Sequence, residues 1–251
     1  MAFRGRGGGP FYAGGYGPPN RQMQICQQLG IAYPPDGAQV HAYIMHVKRD
    51  ARRFLNDNFL NEALQLYSLA LLGCELCPTM PTVVEERPKL LCNRSLVCFK
   101  LRRFKDAEED AKMTVAVCPA FVKGYWRASQ AVKGGHNGAL KAIPYLLEGL
   151  RRCQMAGNTN DLVDFVAEIC ELIPSAPRND TMLYMIHNIG IGRDILPVDI
   201  WQKVVCRLAQ NHKWESLSIL ICGRQSGPSE PLEGIACEVN CSGVSVGNTS
   251  S

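Results

Sequence analysis

The sequence lacks the features that would mark a membrane or secreted protein, and its overall charge is small. No apolar run reaches the roughly 20 residues needed to cross a bilayer, and no apolar segment follows the basic N-terminus to form a secretory signal. The formal net charge is only +4 over 251 residues, which by itself indicates neither a membrane nor a nucleic-acid partner. These absences favour a globular protein of the cytoplasm, with the nucleus as the alternative.

Motifs for catalysis are also missing. The sequence has no glycine-rich phosphate loop and no nucleophile elbow, and its five histidines are not spaced as metal ligands. Twelve cysteines without a secretory signal indicate reduced thiols. Cys74 and Cys77 form a CxxC pair, but Cys92 and Cys98 do not supply the second pair of a zinc site. We therefore predict no enzymatic activity, no metal and no cofactor, and a redox or metal role at Cys77 is the less favoured alternative.

The two ends of the chain differ in composition from the middle. Residues 1–38 hold a tail rich in glycine, arginine and aromatic residues, followed by a turn, and residues 224–251 are rich in serine and glycine. Such segments cannot bury enough apolar surface to fold, so we predict disorder in both. The first tail is similar to RGG-type RNA-binding tails, in which arginine contacts phosphate and aromatic rings stack on bases. Few cations are present, so any RNA binding is expected to be weak and salt-sensitive.

Between the tails, apolar residues recur at helical spacing and predict a series of helices. The expected bounds are about 39–55 and 61–72, then 89–101 and 104–117, then 122–134 and 139–153. A long connection is predicted at residues 73–88, and Pro144 is expected to kink the sixth helix or delay its start. Asn160 or Asp161 is expected to cap a helix at 162–173. Further helices are predicted at 181–189, 197–210 and 214–222.

The stretch at residues 92–127 identifies the repeat. It opens with Cys92-Asn93-Arg94-Ser95, continues through a helix containing Ala107 and Ala111, and restarts at Lys123-Gly124-Tyr125-Trp126-Arg127. This pattern resembles the tetratricopeptide repeat (TPR), a pair of helices with a period of about 34 residues. The resemblance covers about residues 40–153. It implies an all-α solenoid, with about three repeats in residues 39–156 and additional helical hairpins in residues 157–223.

The resemblance also implies a binding site. Some TPR domains grip the acidic C-terminal peptide of a heat-shock chaperone with a clamp of basic and amide side chains, because charge-assisted hydrogen bonds to carboxylates are strong. The corresponding residues of this sequence are Lys48, Arg52, Asn93, Lys123 and Arg127. Arg52 departs from the pattern, since the clamp has asparagine there. The implied function is that of a protein-interaction adaptor or co-chaperone.

Other interpretations stay open. The basic residues of the clamp pattern also suit ordinary solvated helix faces, and Asn93 could bond to backbone within the repeat. An RNA-associated scaffold that uses the N-terminal tail is the first alternative function. The second is a non-catalytic adaptor segment of a larger multidomain protein, such as a ubiquitin ligase.

Overall fold

The computed structural model describes residues 20–135, 138–172 and 198–223. The glycine-rich tail, the helix expected at 181–189 and the C-terminal segment lie outside these residues. Every regular element within the described ranges is helical, which confirms the all-α class. In the same ranges, no helix is both long and apolar enough to span a bilayer.

The described residues form ten α-helices and one 3-10 turn. The α-helices are α1 (Arg21–Leu29), α2 (Gly37–Asn56), α3 (Leu60–Cys74), α4 (Pro81–Lys100), α5 (Phe104–Val117), α6 (Val122–Gly134), α7 (Ile143–Ala156), α8 (Thr159–Leu172), α9 (Val198–Gln210) and α10 (Trp214–Gly223). The 3-10 turn, Ala139–Ala142, directly precedes α7.

Consecutive helices pack as pairs, α2 with α3, α4 with α5 and α6 with α7. The first helices of neighbouring pairs also touch, since α4 contacts both α2 and α6. Beyond the third pair, α8 packs on α7, and both α9 and α10 pack on α8. The architecture is therefore the predicted helical-repeat solenoid, with further helices after the third pair.

Small residues stand where the helices approach most closely. Ala51, Ala63 and Ala70, which the pattern predicts at such places, are each fully buried. One close approach lies between α7 and α8, where a Cβ atom added at Gly149 would come within 2.2 Å of the Phe165 ring. The same ring makes an edge-to-face contact with Trp126 of α6, with 5.4 Å between the centroids. Phe165 of α8 therefore packs against both α7 and α6.

The structure corrects the predicted N-terminal boundary. Residues 1–38 were expected to lack structure, but α1 begins at Arg21. Asn20 caps this helix, since its side-chain oxygen accepts a backbone N–H hydrogen bond at 2.8 Å. Ile25 and Leu29 are buried in the same core as residues of α2 and α3, so the apolar residues of α1 extend that core.

The connection predicted at residues 73–88 is wrong for most of its length. α3 continues to Cys74 and α4 begins at Pro81, so Pro88 lies inside a helix rather than at its start. An internal proline removes a helical hydrogen bond and costs about 3 kcal/mol. The extension of α4 offsets this cost by burying apolar surface. Val83, which lies on the extension, is 1% exposed and belongs to the core that α1, α2 and α3 share. The same extension carries Glu86.

Pro144 delays α7, as the sequence predicts. The helix begins at Ile143, and Pro144 occupies its first turn, where a missing N–H leaves no helical bond unmade. The predicted cap of α8 is wrong, however. Asn158, rather than Asn160 or Asp161, supplies the capping oxygen, which accepts the Asp161 backbone N–H at 3.2 Å. The helices predicted at 197–210 and 214–222 are confirmed as α9 and α10.

Candidate functional site

The five side chains predicted to bind peptide come from three neighbouring helices. Lys48 and Arg52 lie on α2, Asn93 on α4, and Lys123 and Arg127 on α6. Because α4 contacts both other helices, Asn93 lies on the helix between the two pairs of cations. We call these five side chains the candidate face, with Lys48 at its α2 end and Lys123 and Arg127 at its α6 end.

The α6 end meets α4 at the thiol of Cys92, the residue before Asn93. Burial raises the pKa of this thiol, while the positive charges of Arg127 and Lys123 act in the opposite direction. A charge perturbs a neighbouring pKa in this way only from a short distance. Both cations of α6 therefore act electrostatically on Cys92, which is itself 4% exposed.

Arg52 and Asn93 meet at a second buried group, the hydroxyl of Tyr67 on α3. Tyr67 is fully buried. Burial raises the pKa of this hydroxyl, whereas the charge of Arg52 and the side chain of Asn93 lower it. One side chain from α2 and one from α4 thus converge on the same aromatic residue. Arg52 takes part in this convergence although the clamp pattern has asparagine at its position.

One nitrogen of this region, Arg127 Nε, is buried without a hydrogen-bond partner among the described residues. A buried donor without an acceptor costs roughly 1–3 kcal/mol. Arg52 and Lys123 are exposed, and neither forms an ion pair with any residue in the described ranges. The region therefore offers many donors and few acceptors, which suits it to hold a carboxylate.

The α2 end is different, because its cation is already paired. Lys48 Nζ donates to one carboxylate oxygen of Glu86 on α4, and Lys89 Nζ donates to the other at 2.8 Å. Glu86 is 8% exposed. Burial raises the pKa of its carboxyl, but the hydrogen bonds and charges of the two lysines outweigh burial and leave that pKa lowered. The positive charge of Lys48 is thus balanced by a carboxylate of the protein itself.

The residues that follow Asn93 fasten α4 to α5. The Arg94 guanidinium donates to both carboxylate oxygens of Asp110, at 2.8 and 2.6 Å. Ser95 Oγ donates to the carbonyl oxygen of Ala107 at 2.7 Å. The Asn93 side chain makes no hydrogen bond to backbone within the described ranges, which was the alternative interpretation of this residue. The Asn93 side chain acts instead on the hydroxyl of Tyr67.

Burial raises the thiol pKa of both members of the CxxC pair, Cys74 and Cys77. Cys74 ends α3 and is buried, and burial raises the pKa of its thiol to about 11. A thiol with such a pKa stays protonated near neutral pH and is a poor ligand or nucleophile. The described part of the chain holds no cluster of three or more potential metal-ligating side chains.

Sequence reasoning missed Tyr67, Cys92 and Glu86 as members of the site region. Tyr67 and Cys92 lie at helical spacing among apolar residues, a pattern that indicates helix packing rather than a site. Glu86 was placed in a connection because Pro88 was expected to begin a helix. Once α4 is extended, Glu86 stands seven residues before Asn93 and shares its side of the helix.

Packed helix pairs with donors on their first helices define a helical-repeat protein of the kind that works through protein–protein interaction. No family model matches the sequence. The chain is similar to the human protein named TPR and ankyrin repeat-containing protein 1, with 29% identity over 133 residues. The match covers 52% of this chain and 4% of that protein. The fold and this relative together fit a repeat protein of the TPR type.

Proposed function

We propose that the candidate face binds the acidic C-terminal end of a partner protein, and that the protein is an adaptor or co-chaperone with a heat-shock chaperone as that partner. The observation that supports this best is the grouping of Arg52, Asn93, Lys123 and Arg127, together with a buried Arg127 Nε that lacks an acceptor. A carboxylate is a group that supplies an acceptor without adding a donor.

The chemistry of the α6 end suits a chain terminus in particular. A terminal carboxylate has two oxygens in one plane, and an arginine guanidinium can bind both at once through its fork of N–H donors. Lys123 stands four residues before Arg127, so the two share one side of α6. An ammonium beside the fork adds charge without fixing a geometry. The C-terminal carboxylate therefore belongs at Arg127, with Lys123 beside it.

The test is calorimetric titration of the full chain with a short peptide that ends in acidic residues and a free carboxylate. We expect Lys123→Ala with Arg127→Ala to weaken binding at least about thirtyfold, because removing a partner from a desolvated charge pair costs roughly 2–5 kcal/mol. Amidating the C-terminus of the peptide should cause a similar loss.

The matched control is Lys100→Ala with Lys105→Ala, which removes two exposed cations outside the candidate face. It changes the net charge by the same amount and should leave affinity within about twofold, since exposed charges contribute little. Equal affinity for both double variants, or for the free and amidated peptides, would overturn the proposal. The RNA-associated scaffold rests on a tail outside the described residues and stays a prediction.

A further inference from the structure

Glu86 is a carboxylate that the fold itself delivers to the candidate face. It stands on the extension of α4, seven residues before Asn93 and on the same side of the helix. Its side chain is 10% exposed and reaches Lys48 across the contact between α2 and α4. Glu86 is helical because α4 begins at Pro81 rather than near Pro88.

The arrangement around Glu86 matches what a bound ligand would make. One oxygen accepts from Lys48 and the other from Lys89, so both oxygens of the carboxylate are held by ammonium groups. The Lys48 side chain is 22% exposed, and its charge is cancelled by its neighbour. A ligand carboxylate directed at Lys48 would have to compete with Glu86, and it would meet a like charge there.

We propose that Glu86 acts as an internal carboxylate that occupies Lys48, so that a bound chain end is recognised through Arg52, Asn93, Lys123 and Arg127. This inference rests on the proposed function and narrows its ligand class. The preferred ligand is a segment whose negative charge is concentrated at its terminal carboxylate. A second acidic group directed at the α2 end adds nothing to its affinity.

The exposures of the two lysines support the proposal that Glu86 holds Lys48. Its side chain is 44% exposed, compared with 22% for Lys48, so Lys89 is the more solvated of the two ammonium groups. Burial makes the pair of Lys48 and Glu86 hard to separate, because each charge left alone would lack compensation. The pair therefore persists while a ligand binds at the α6 end.

The experiment is a double-mutant cycle on the full chain, measured by calorimetric titration with the acidic peptide described above. Glu86→Gln frees Lys48 and should tighten binding about tenfold, a free-energy change of about 1.4 kcal/mol. Adding Lys48→Ala to that variant should remove the gain. We expect the effect of Lys48→Ala to be at least about fivefold larger with Gln at residue 86 than with Glu.

The neighbouring residue provides the control. Glu85→Gln changes the net charge equally, but Glu85 is exposed, so affinity should change by less than about twofold. Should the Gln variant fail to fold, Glu86→Asp keeps the charge, withdraws the carboxylate from Lys48 and should tighten binding about threefold.

The outcomes separate the two proposals. A wild-type protein that binds the peptide, with a folded Glu86→Gln variant that binds no more tightly, overturns the role of Glu86 and leaves the proposed function standing. A cycle in which Lys48→Ala has the same effect in both backgrounds also overturns that role. If neither the wild type nor any variant binds the peptide, the proposed function itself is wrong.

Discussion

Both ends of the candidate face are positively charged, but they differ in whether the cation has an acidic partner within the described residues. At the α2 end, Lys48 is ion-paired with the buried carboxylate of Glu86. At the α6 end, Lys123 is exposed without an acidic partner among the described residues, and Arg127 Nε is buried without an acceptor. An ion pair formed within the protein stabilises the fold. A donor that has no internal acceptor gains its hydrogen bond only when a ligand binds. Matching positions in a sequence pattern therefore do not imply matching roles.

Two arginines show the same contrast within one part of the molecule. The Arg94 side chain is 27% exposed and binds Asp110 through two hydrogen bonds. Arg127 is half-buried too, but in the described residues it faces a thiol rather than a carboxylate. We expect Arg94 to matter for stability and Arg127 to matter for binding.

The largest effect is expected from Arg94→Ala. The substitution leaves the carboxylate of Asp110, which is 7% exposed, buried without its partner, and breaking such a pair costs about 3 kcal/mol of unfolding free energy. Urea denaturation monitored by circular dichroism measures the loss. The control is Arg103→Ala, whose pair with Asp106 is about half exposed and should be worth less than about 1 kcal/mol. Equal losses for the two variants would contradict the structural role of Arg94.

An intermediate effect is expected from Arg127→Ala, and it should appear in binding. The substitution should change the unfolding free energy by less than about 1 kcal/mol, because Arg127 has no carboxylate partner among the described residues and its neighbour, the Cys92 thiol, is a weak hydrogen-bonding group. Affinity for the acidic peptide should fall at least about tenfold. Calorimetric titration and urea denaturation of the same preparation measure both quantities. A stability loss as large as that of Arg94→Ala would mean that both arginines serve the fold.

Much of the fold could be predicted from the sequence, because the spacing of apolar and small residues along the chain determines where the helices form and pack. Helical spacing of apolar residues predicted α6 at residues 122–134, and the small residues Ala51, Ala63 and Ala70 indicated where helices approach. Pro88 misled the prediction, since the cost of an internal proline is local while the burial of Val83 that offsets it is tertiary. For the same reason α1 was missed: its short apolar face is stabilised by the core it covers.

The site was less predictable than the fold. The sequence indicated which side chains stand on the first helices of the repeats, because that follows from the period of the pattern. It did not indicate which of those cations already had partners. Glu86 and Lys48 are 38 residues apart in the chain, and their pairing depends on how far α4 extends. Tyr67 was missed as a meeting point because a buried tyrosine at helical spacing looks the same as a core phenylalanine.

The smallest effect is a pH dependence at the α2 end. Burial raises the pKa of Glu86, but its two lysine partners outweigh burial and hold that pKa below the ordinary value of 4.5 in the folded protein. Between these two pKa values the unfolded chain binds more protons than the folded one, so the stabilisation is fully present above the unfolded pKa and is lost as the pH falls through the folded pKa. Gln at residue 86 cannot titrate. The unfolding free energy of the wild type relative to Glu86→Gln should therefore decrease by up to about 1 kcal/mol between about pH 6 and pH 3.

Urea denaturation across this pH range measures the difference, with Glu85→Gln as the control. Because Glu85 is exposed, its variant should stay at a nearly constant free-energy difference from the wild type over the same range. A difference for Glu86→Gln that is equally constant would mean that Glu86 gains nothing from Lys48 in the folded protein. Lys48 would then be an open cation like Lys123, and the two ends of the candidate face would no longer differ in the way that assigns binding to the α6 end.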